Sequence, residues 1–257
     1  MLDQLFTNMI NPFTIEGKTI LITGASSGIG KTTAILCSQM GAKVIITGRN
    51  EKRLNETYDN LEGTGHDIII GDLSNNAFIE ELVEYVPALN GTVLCAGIAT
   101  VKPVLYSLPE EYQTYFNVNF FSPIELLRQL VKKKKLVKGS SCVVIASIGG
   151  NYIWSPGNAI YGTTKAALKS AVNFFAVELA PKRIRVNSIC PGMVDTPMIK
   201  NDAYSQEQVE ADKALYPLGR YGKPEDIAYA SIYLLSDASE WMTGNHLVID
   251  GGVTARQ

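Results

Sequence analysis

Histidine is nearly absent from this chain: His66 and His246 are the only two in 257 residues. That excludes a histidine-rich metal centre, and no cluster of carboxylates takes its place, so no metal is expected. The four cysteines, Cys37, Cys95, Cys142 and Cys190, stand far apart with no Cys-x-x-Cys pair. Reduced, buried thiols and a cytoplasmic location are therefore expected. An excess of either charge is missing too, since 23 basic and 25 acidic side chains leave a net charge of -2. Nothing in that balance points to nucleic acid or to a membrane surface. No apolar run approaches the ~20 residues that span a bilayer. Residues 1–14 carry Asp3 and lack a basic start followed by an apolar block, so they read as a short leader and not a secretory signal. Linkers, repeats and low-complexity segments are also missing, and residues 1–257 read as one domain.

What the chain does have is strict alternation. Apolar runs at residues 18–23, 43–47, 67–71, 92–95, 141–146, 184–189 and 246–249 read as strands. Amphipathic stretches at 28–40, 51–61, 75–87, 109–135, 159–179 and 224–235 read as helices between them. Continuously apolar strands mark a sheet covered on both faces. The pattern predicts an α/β fold: a Rossmann-type, doubly wound parallel sheet of about seven strands. Residues 195–222 lack a clear period and are punctuated by Pro197, Pro217, Gly219 and Gly222. A long irregular insertion of that kind reads as a lid over a binding site.

The first strand-to-helix turn reads Thr23-Gly-Ala-Ser-Ser-Gly-Ile-Gly30. Gly24, Gly28 and Gly30 allow a tight turn and close approach of the backbone to a pyrophosphate, with Ser26, Ser27 and Ile29 beside it. The helix N-terminus that follows offers free N–H groups and a positive dipole end. Its spacing is Gly-x-x-x-Gly-x-Gly, not the commoner Gly-x-Gly-x-x-Gly. The second strand ends in Thr47-Gly48-Arg49-Asn50, with no carboxylate to hold ribose hydroxyls. Arg49 offers a planar fork suited to a 2′-phosphate, so NADP is preferred as cofactor and NAD stays open. Asp72, followed by Leu73 at the end of the third strand, either accepts from an adenine amine or supports the next helix.

Tyr161 and Lys165 lie one helical turn apart on one face, with Ser147 upstream. A phenol with a pKa near ~10 is a poor proton carrier at neutral pH. A neighbouring ammonium is expected to lower it towards the range where acid–base catalysis works. Ser147 is then placed to hydrogen-bond a substrate oxygen.

Together these motifs resemble the short-chain dehydrogenase/reductase family, over Lys18 to Gly252. Ala96-Gly97 is similar to the end of the family's Asn-Ala-Gly, and Asn119 matches its catalytic Asn within a long helix. Ser147, Tyr161 and Lys165 match the remaining catalytic positions. Asn187 and the run Pro191, Gly192, Val194 and Thr196 resemble the segment whose backbone holds the nicotinamide carboxamide. Asp250-Gly251-Gly252 is similar to the usual ending. Two departures stand out: Cys95 replaces the Asn of Asn-Ala-Gly, so a hydrogen bond tying that strand to its neighbours is expected to be lost. The Ser147-to-Tyr161 separation is also one residue longer than the family's, in a loop rich in glycine.

The resemblance implies hydride transfer between NADP(H) and a carbonyl or secondary alcohol. Tyr161 would carry the proton, Lys165 would hold the ribose, and Asn119 would keep a water in a proton relay. A 3-oxoacyl-thioester reductase is the leading reading, with an acyl carrier as a further partner; Lys132–Lys135 reads either as a dock for it or as a solvated basic helix end. Dehydrogenases of sugars, steroids or other secondary alcohols share the motifs, as does an NADP(H)-sensing regulator on the same fold. Tyr152, Trp154, Met193, Met198 and Tyr204 are candidates for an apolar wall. A homotetramer is also implied, with contacts on the helices at 109–135 and 159–179 and on the last strand.

Overall fold

Branched apolar side chains at successive positions bury both faces of a seven-stranded parallel sheet. The computed structural model describes residues 11–199 and 206–256. The strands are β1 (Thr19–Thr23), β2 (Lys43–Gly48), β3 (Asp67–Ile70), β4 (Leu89–Leu94), β5 (Leu136–Ile145), β6 (Arg185–Pro191) and β7 (His246–Ile249). They pair in the order β3-β2-β1-β4-β5-β6-β7. The helices are α1 (Gly28–Gln39), α2 (Glu51–Tyr58), α3 (Asn76–Tyr85), α4 (Pro109–Phe116) and α5 (Ser122–Lys132). They continue with α6 (Ala159–Leu179), α7 (Gln206–Lys213) and α8 (Pro224–Leu235).

Alternation along each strand divides the core in two. Leu21, Ile45, Cys142 and Val144 face Phe78 and Leu82 of α3, Leu126 and Leu130 of α5, and Leu168 and Val172 of α6. Ile20, Ile22, Val44, Ile46 and Val143 face the other way, onto Ala34 of α1, Leu54 of α2 and Ile227 and Leu234 of α8. Leu126 is fully buried, and its truncation to alanine is worth about 2–5 kcal/mol at a site of this kind. All four cysteines are unpaired, and all but Cys95 are buried. Among the described residues no helix is long and apolar enough to cross a membrane.

Two elements differ from the sequence pattern. The helix expected over residues 109–135 is interrupted by a π turn, Asn117–Phe121, and its last turn stops at Lys132. Pro123 explains the interruption, because it has no N–H to give the carbonyl of Asn119 and its ring crowds that carbonyl. The chain widens instead, and the Ser122 N–H reaches back five residues to the Asn117 carbonyl. The segment 195–222 is not wholly irregular, since it carries α7. Of the residues assigned to it, 200–205 lie outside the described residues, as does Tyr204 and most of the expected leader.

Candidate active site

The strand order turns back on itself between β1 and β4, which opens a crevice at the carboxyl ends of the strands. A cavity of about 1250 Å³ occupies that end. On its cofactor side it is bordered by Gly24, Ser26, Ser27, Gly28 and Ile29. Gly24 has φ +68°, and a Cβ there would stand 2.8 Å from the backbone of Ala96. Gly30 does not border the cavity; a Cβ on it would come 2.4 Å from the Gly24 carbonyl oxygen. Its role is to let α1 pack on the turn. Ser27 caps α1 with extended backbone but no side-chain bond, and the first turn has no acidic residue. The N–H groups of that turn are left for an anion. The site therefore fits a dinucleotide by its backbone shape and its donors.

At the end of β2, Arg49 also borders the cavity, together with Asn50 and Arg53. Asn50 is held by capping α2, its side chain accepting from the Arg53 N–H at 2.9 Å. Arg49 lies 3.6 Å from a carboxylate oxygen of Asp72, and both are well exposed. The other Asp72 oxygen accepts from the backbone N–H and the hydroxyl of Ser74. Those bonds and the Arg49 charge outweigh partial burial and keep the Asp72 carboxyl below its ordinary range. Leu73, Ala96 and Gly97 complete this side.

Ser147, Tyr161 and Lys165 meet at the far end of the cavity, although 14 and 4 residues separate them along the chain. The Ser147 hydroxyl accepts from the Gly149 N–H at 3.0 Å and lies near enough to the Tyr161 phenol to lower its proton affinity. Lys165 is 4% exposed and donates to the Ile145 carbonyl at 2.8 Å. Its Nζ sits 5.8 Å from the centre of the Tyr161 ring. Burial sets both proton affinities: it pushes Tyr161 up to about 12, against the lowering influence of Ser147, and brings Lys165 down to about 8. The expected lowering of Tyr161 by the Lys165 ammonium is thus not found in the chain alone. The ammonium is committed to a carbonyl, and desolvation of the phenol outweighs it. Asn119 is fully buried behind Gly97 and does not border the cavity. Its side-chain oxygen accepts from the Ile98 N–H at 2.8 Å, and its amide donates to the Ile98 carbonyl at 2.9 Å and to Thr164 at 3.1 Å.

The family model described as Enoyl-(Acyl carrier protein) reductase matches residues 24–254. The 3-oxoacyl-[acyl-carrier-protein] reductase FabG of Thermotoga maritima is 33% identical over 245 residues, covering 93% of this chain and 98% of that protein. FabG of Rickettsia prowazekii is 34% identical over 239 residues, with 93% and 98% covered. A solved short chain dehydrogenase/reductase family protein superposes with a TM-score of 0.82 at 32% identity, covering 94% of this chain and 99% of the other. This chain belongs to the short-chain dehydrogenase/reductase family. It is an oxidoreductase of the kind that acts on CH–OH and carbonyl groups with a nicotinamide cofactor.

The two departures from the family pattern have structural answers. Thr23 Oγ1 accepts from the N–H groups of both Cys95 and Ala96, at 3.0 and 3.1 Å, and so ties the end of β4 to β1. The tie expected to be lost with Asn is supplied by Thr23. Desolvation pushes the Cys95 thiol up to about 11, against a smaller lowering by the Lys165 charge. The longer Ser147–Tyr161 connection is absorbed in a turn at Gly150, φ +76°, closed by a bond from the Gly150 N–H to the Ile153 carbonyl at 2.9 Å.

On the substrate side of this short-chain dehydrogenase/reductase, Met193 and Met198 border the cavity, whereas Tyr152 and Trp154 do not. Tyr152 lies under Lys169, with Nζ 4.5 Å from the ring centre, and Trp154 is turned outward. Pro191, Gly192, Val194 and Thr196 line the wall. Asn187 does not; it ties β6 to the turn before β7 through Met242 and Asn245. Lys132–Lys135 lies at the amino end of β5, away from the cavity. There Lys133 pairs with Glu84, and Lys135 donates to the Glu84 and Val86 carbonyls. Several cavity residues escaped sequence reading, Asn158 and Tyr216 among them. Asn158 stands at the N-cap of α6 without capping it, and its amide nitrogen is 2.7 Å from where a Gly149 Cβ would be. The signal for it was position alone, one turn ahead of Tyr161.

Proposed function

We propose that this enzyme reduces a 3-oxoacyl thioester to the 3-hydroxy product, with NADPH as the preferred cofactor. The observation that carries the reading is the meeting of Ser147, Tyr161 and Lys165 in one corner of the cavity, beside the loop from Pro191 to Thr196. When bound, the nicotinamide supplies the hydride to the carbonyl carbon. Ser147 donates to the carbonyl oxygen and holds it against Tyr161. Tyr161 gives that oxygen its proton, and a phenol held protonated by burial is suited to act as the acid. Lys165, released from the Ile145 carbonyl, holds the ribose and steadies the phenolate left behind. The Asn119 carbonyl, without a helical N–H from Pro123, is free to keep the water that returns a proton to this pair.

Support for an acyl thioester comes from the relatives named for that reaction and from the cavity wall. Ile148, Ile153, Met193 and Met198 make the substrate side apolar, while the Asn158 amide can receive a second oxygen near the reacting one. Arg49 and Arg53 at the end of β2 support NADPH over NADH. The homotetramer expected from the family is supported by exposed Phe121, Phe174 and Val177 on the π turn and α6.

The test is NADPH oxidation with acetoacetyl thioesters, diketones, steroids and sugars, for the wild type and Tyr161→Phe. We expect the thioester to be reduced fastest and the variant to lose on the order of 10²–10⁴ in turnover while still binding NADPH. Near-normal turnover in Tyr161→Phe would reject the assignment. Tight NADPH binding with no carbonyl reduced would favour a sensor.

A further inference from the structure

The loop from Pro191 to Thr196 leaves the end of β6 and runs along the cavity wall. A loop in that place needs something to hold its backbone, and part of the answer comes from β-type pairing. The Gly222 N–H bonds to the Met193 carbonyl at 2.9 Å, and the Asp195 N–H to the Gly222 carbonyl at 2.8 Å. Those bonds leave the Met193 N–H, and its partner is a side chain from 23 residues further on. The Tyr216 hydroxyl oxygen accepts it at 3.1 Å.

Tyr216 is well placed for this. It is 6% exposed, and its ring edge closes on two glycines. Cβ atoms built on Gly192 and Gly251 would stand 3.2 and 3.3 Å from it. Its backbone N–H bonds to the Lys213 carbonyl, so it follows directly from α7. Its ring meets Tyr221 edge to face, with centres 5.4 Å apart and planes at 81°. Tyr221, 8% exposed, donates its hydroxyl proton to Asp212 of α7 at 2.7 Å. A second contact with α7 comes from Lys213, whose Nζ lies 5.6 Å from the centre of the Tyr221 ring. Burial pushes Tyr216 up to about 12, so the phenol stays neutral across the working range.

We propose that Tyr216 is a positioning residue: its hydroxyl sets the backbone of the Pro191–Thr196 loop for the nicotinamide end of the cofactor, and its ring contact with Tyr221, which in turn bonds Asp212, ties that loop to α7. The inference rests on the reading of this loop as the nicotinamide wall. It adds a residue to that wall from the substrate side. Groups that move α7 would be felt at the cofactor through two aromatic rings, with no ligand touching both.

The decisive variant is Tyr216→Phe, which removes one oxygen and keeps the ring. Calorimetry would compare the tighter of NADPH and NADH with its nicotinamide-free fragment, 2′-phospho-ADP-ribose or ADP-ribose. We expect the whole cofactor to weaken about two- to tenfold, the range for one hydrogen bond, with the fragment unchanged. Amide hydrogen exchange in residues 191–196 should quicken in the unliganded variant. Equal weakening of both ligands, or unchanged cofactor affinity and exchange, would overturn the proposal. Tyr221→Phe cuts the link to Asp212 outside the loop and covers the case in which Tyr216→Phe does not fold. It should quicken the same amides by a smaller factor, and no change there would remove the tie to α7. A wild type that binds neither cofactor would instead defeat the underlying functional reading.

Discussion

Lys165 spends its ammonium on the carbonyl of Ile145, 2.8 Å away, with the ring centre of Tyr161 5.8 Å off. The pair is therefore not a preformed phenolate–ammonium couple. It is a half-buried neutral acid beside a buried cation whose charge is costly to keep. Burial, the largest influence, brings Lys165 down to about 8, so its cation is fully present only well below that value and is lost as pH rises through it.

We therefore predict that kcat/KM for carbonyl reduction is level at neutral pH and falls as pH rises through about 8, the Lys165 value. Tyr161, held at about 12, keeps its proton throughout that interval and should not limit it. A pH–rate profile on the free enzyme checks this. A profile flat well past that point would show that the cation is not needed or is stabilised by a group other than those described.

Arg49 and Asp72 form an exposed pair at 3.6 Å, so each charge is partly screened by solvent and neither is fixed by the other. The Arg49→Asp variant is expected to lose about tenfold or more in NADPH affinity, as befits one charge-assisted bond, and to shift preference towards NADH. Fluorescence titration with both cofactors reads the ratio. An unchanged ratio would dismiss the reading of the β2 terminus.

Pro123 has no N–H to give the Asn119 carbonyl four residues back. In Pro123→Ala an N–H returns to that position, and the wide turn at Asn117–Phe121 can close to ordinary α-helix. The expected result is a protein at least as stable by thermal melting, because alanine favours helix. On the proposed proton relay its turnover should be lower, because the restored N–H would compete with a water for that carbonyl. A variant with wild-type turnover and an unchanged solvent isotope effect would separate this carbonyl from proton return.

Much of the molecule was legible from neighbouring residues alone. Unbroken apolar runs such as Thr19–Thr23 and Lys43–Gly48 have one low-energy use, a strand covered on both sides, so the parallel sheet followed. The glycine turn before α1 and the one-turn spacing of Tyr161 and Lys165 are equally local, set by allowed backbone angles and helix pitch. What no local pattern contains is the partner that arrives from elsewhere. Thr23 ties β4 across 72 residues, and Tyr216 holds Met193 across 23. Desolvation is of the same kind. Which groups are buried together decides that Tyr161 binds its proton tightly and Lys165 weakly, opposite to what their adjacency in sequence suggests. Covalent order determined the elements and the identity of the reacting groups; the packing of distant elements determined their protonation and their supports, because dielectric environment and hydrogen-bond geometry exist only once the chain has closed on itself.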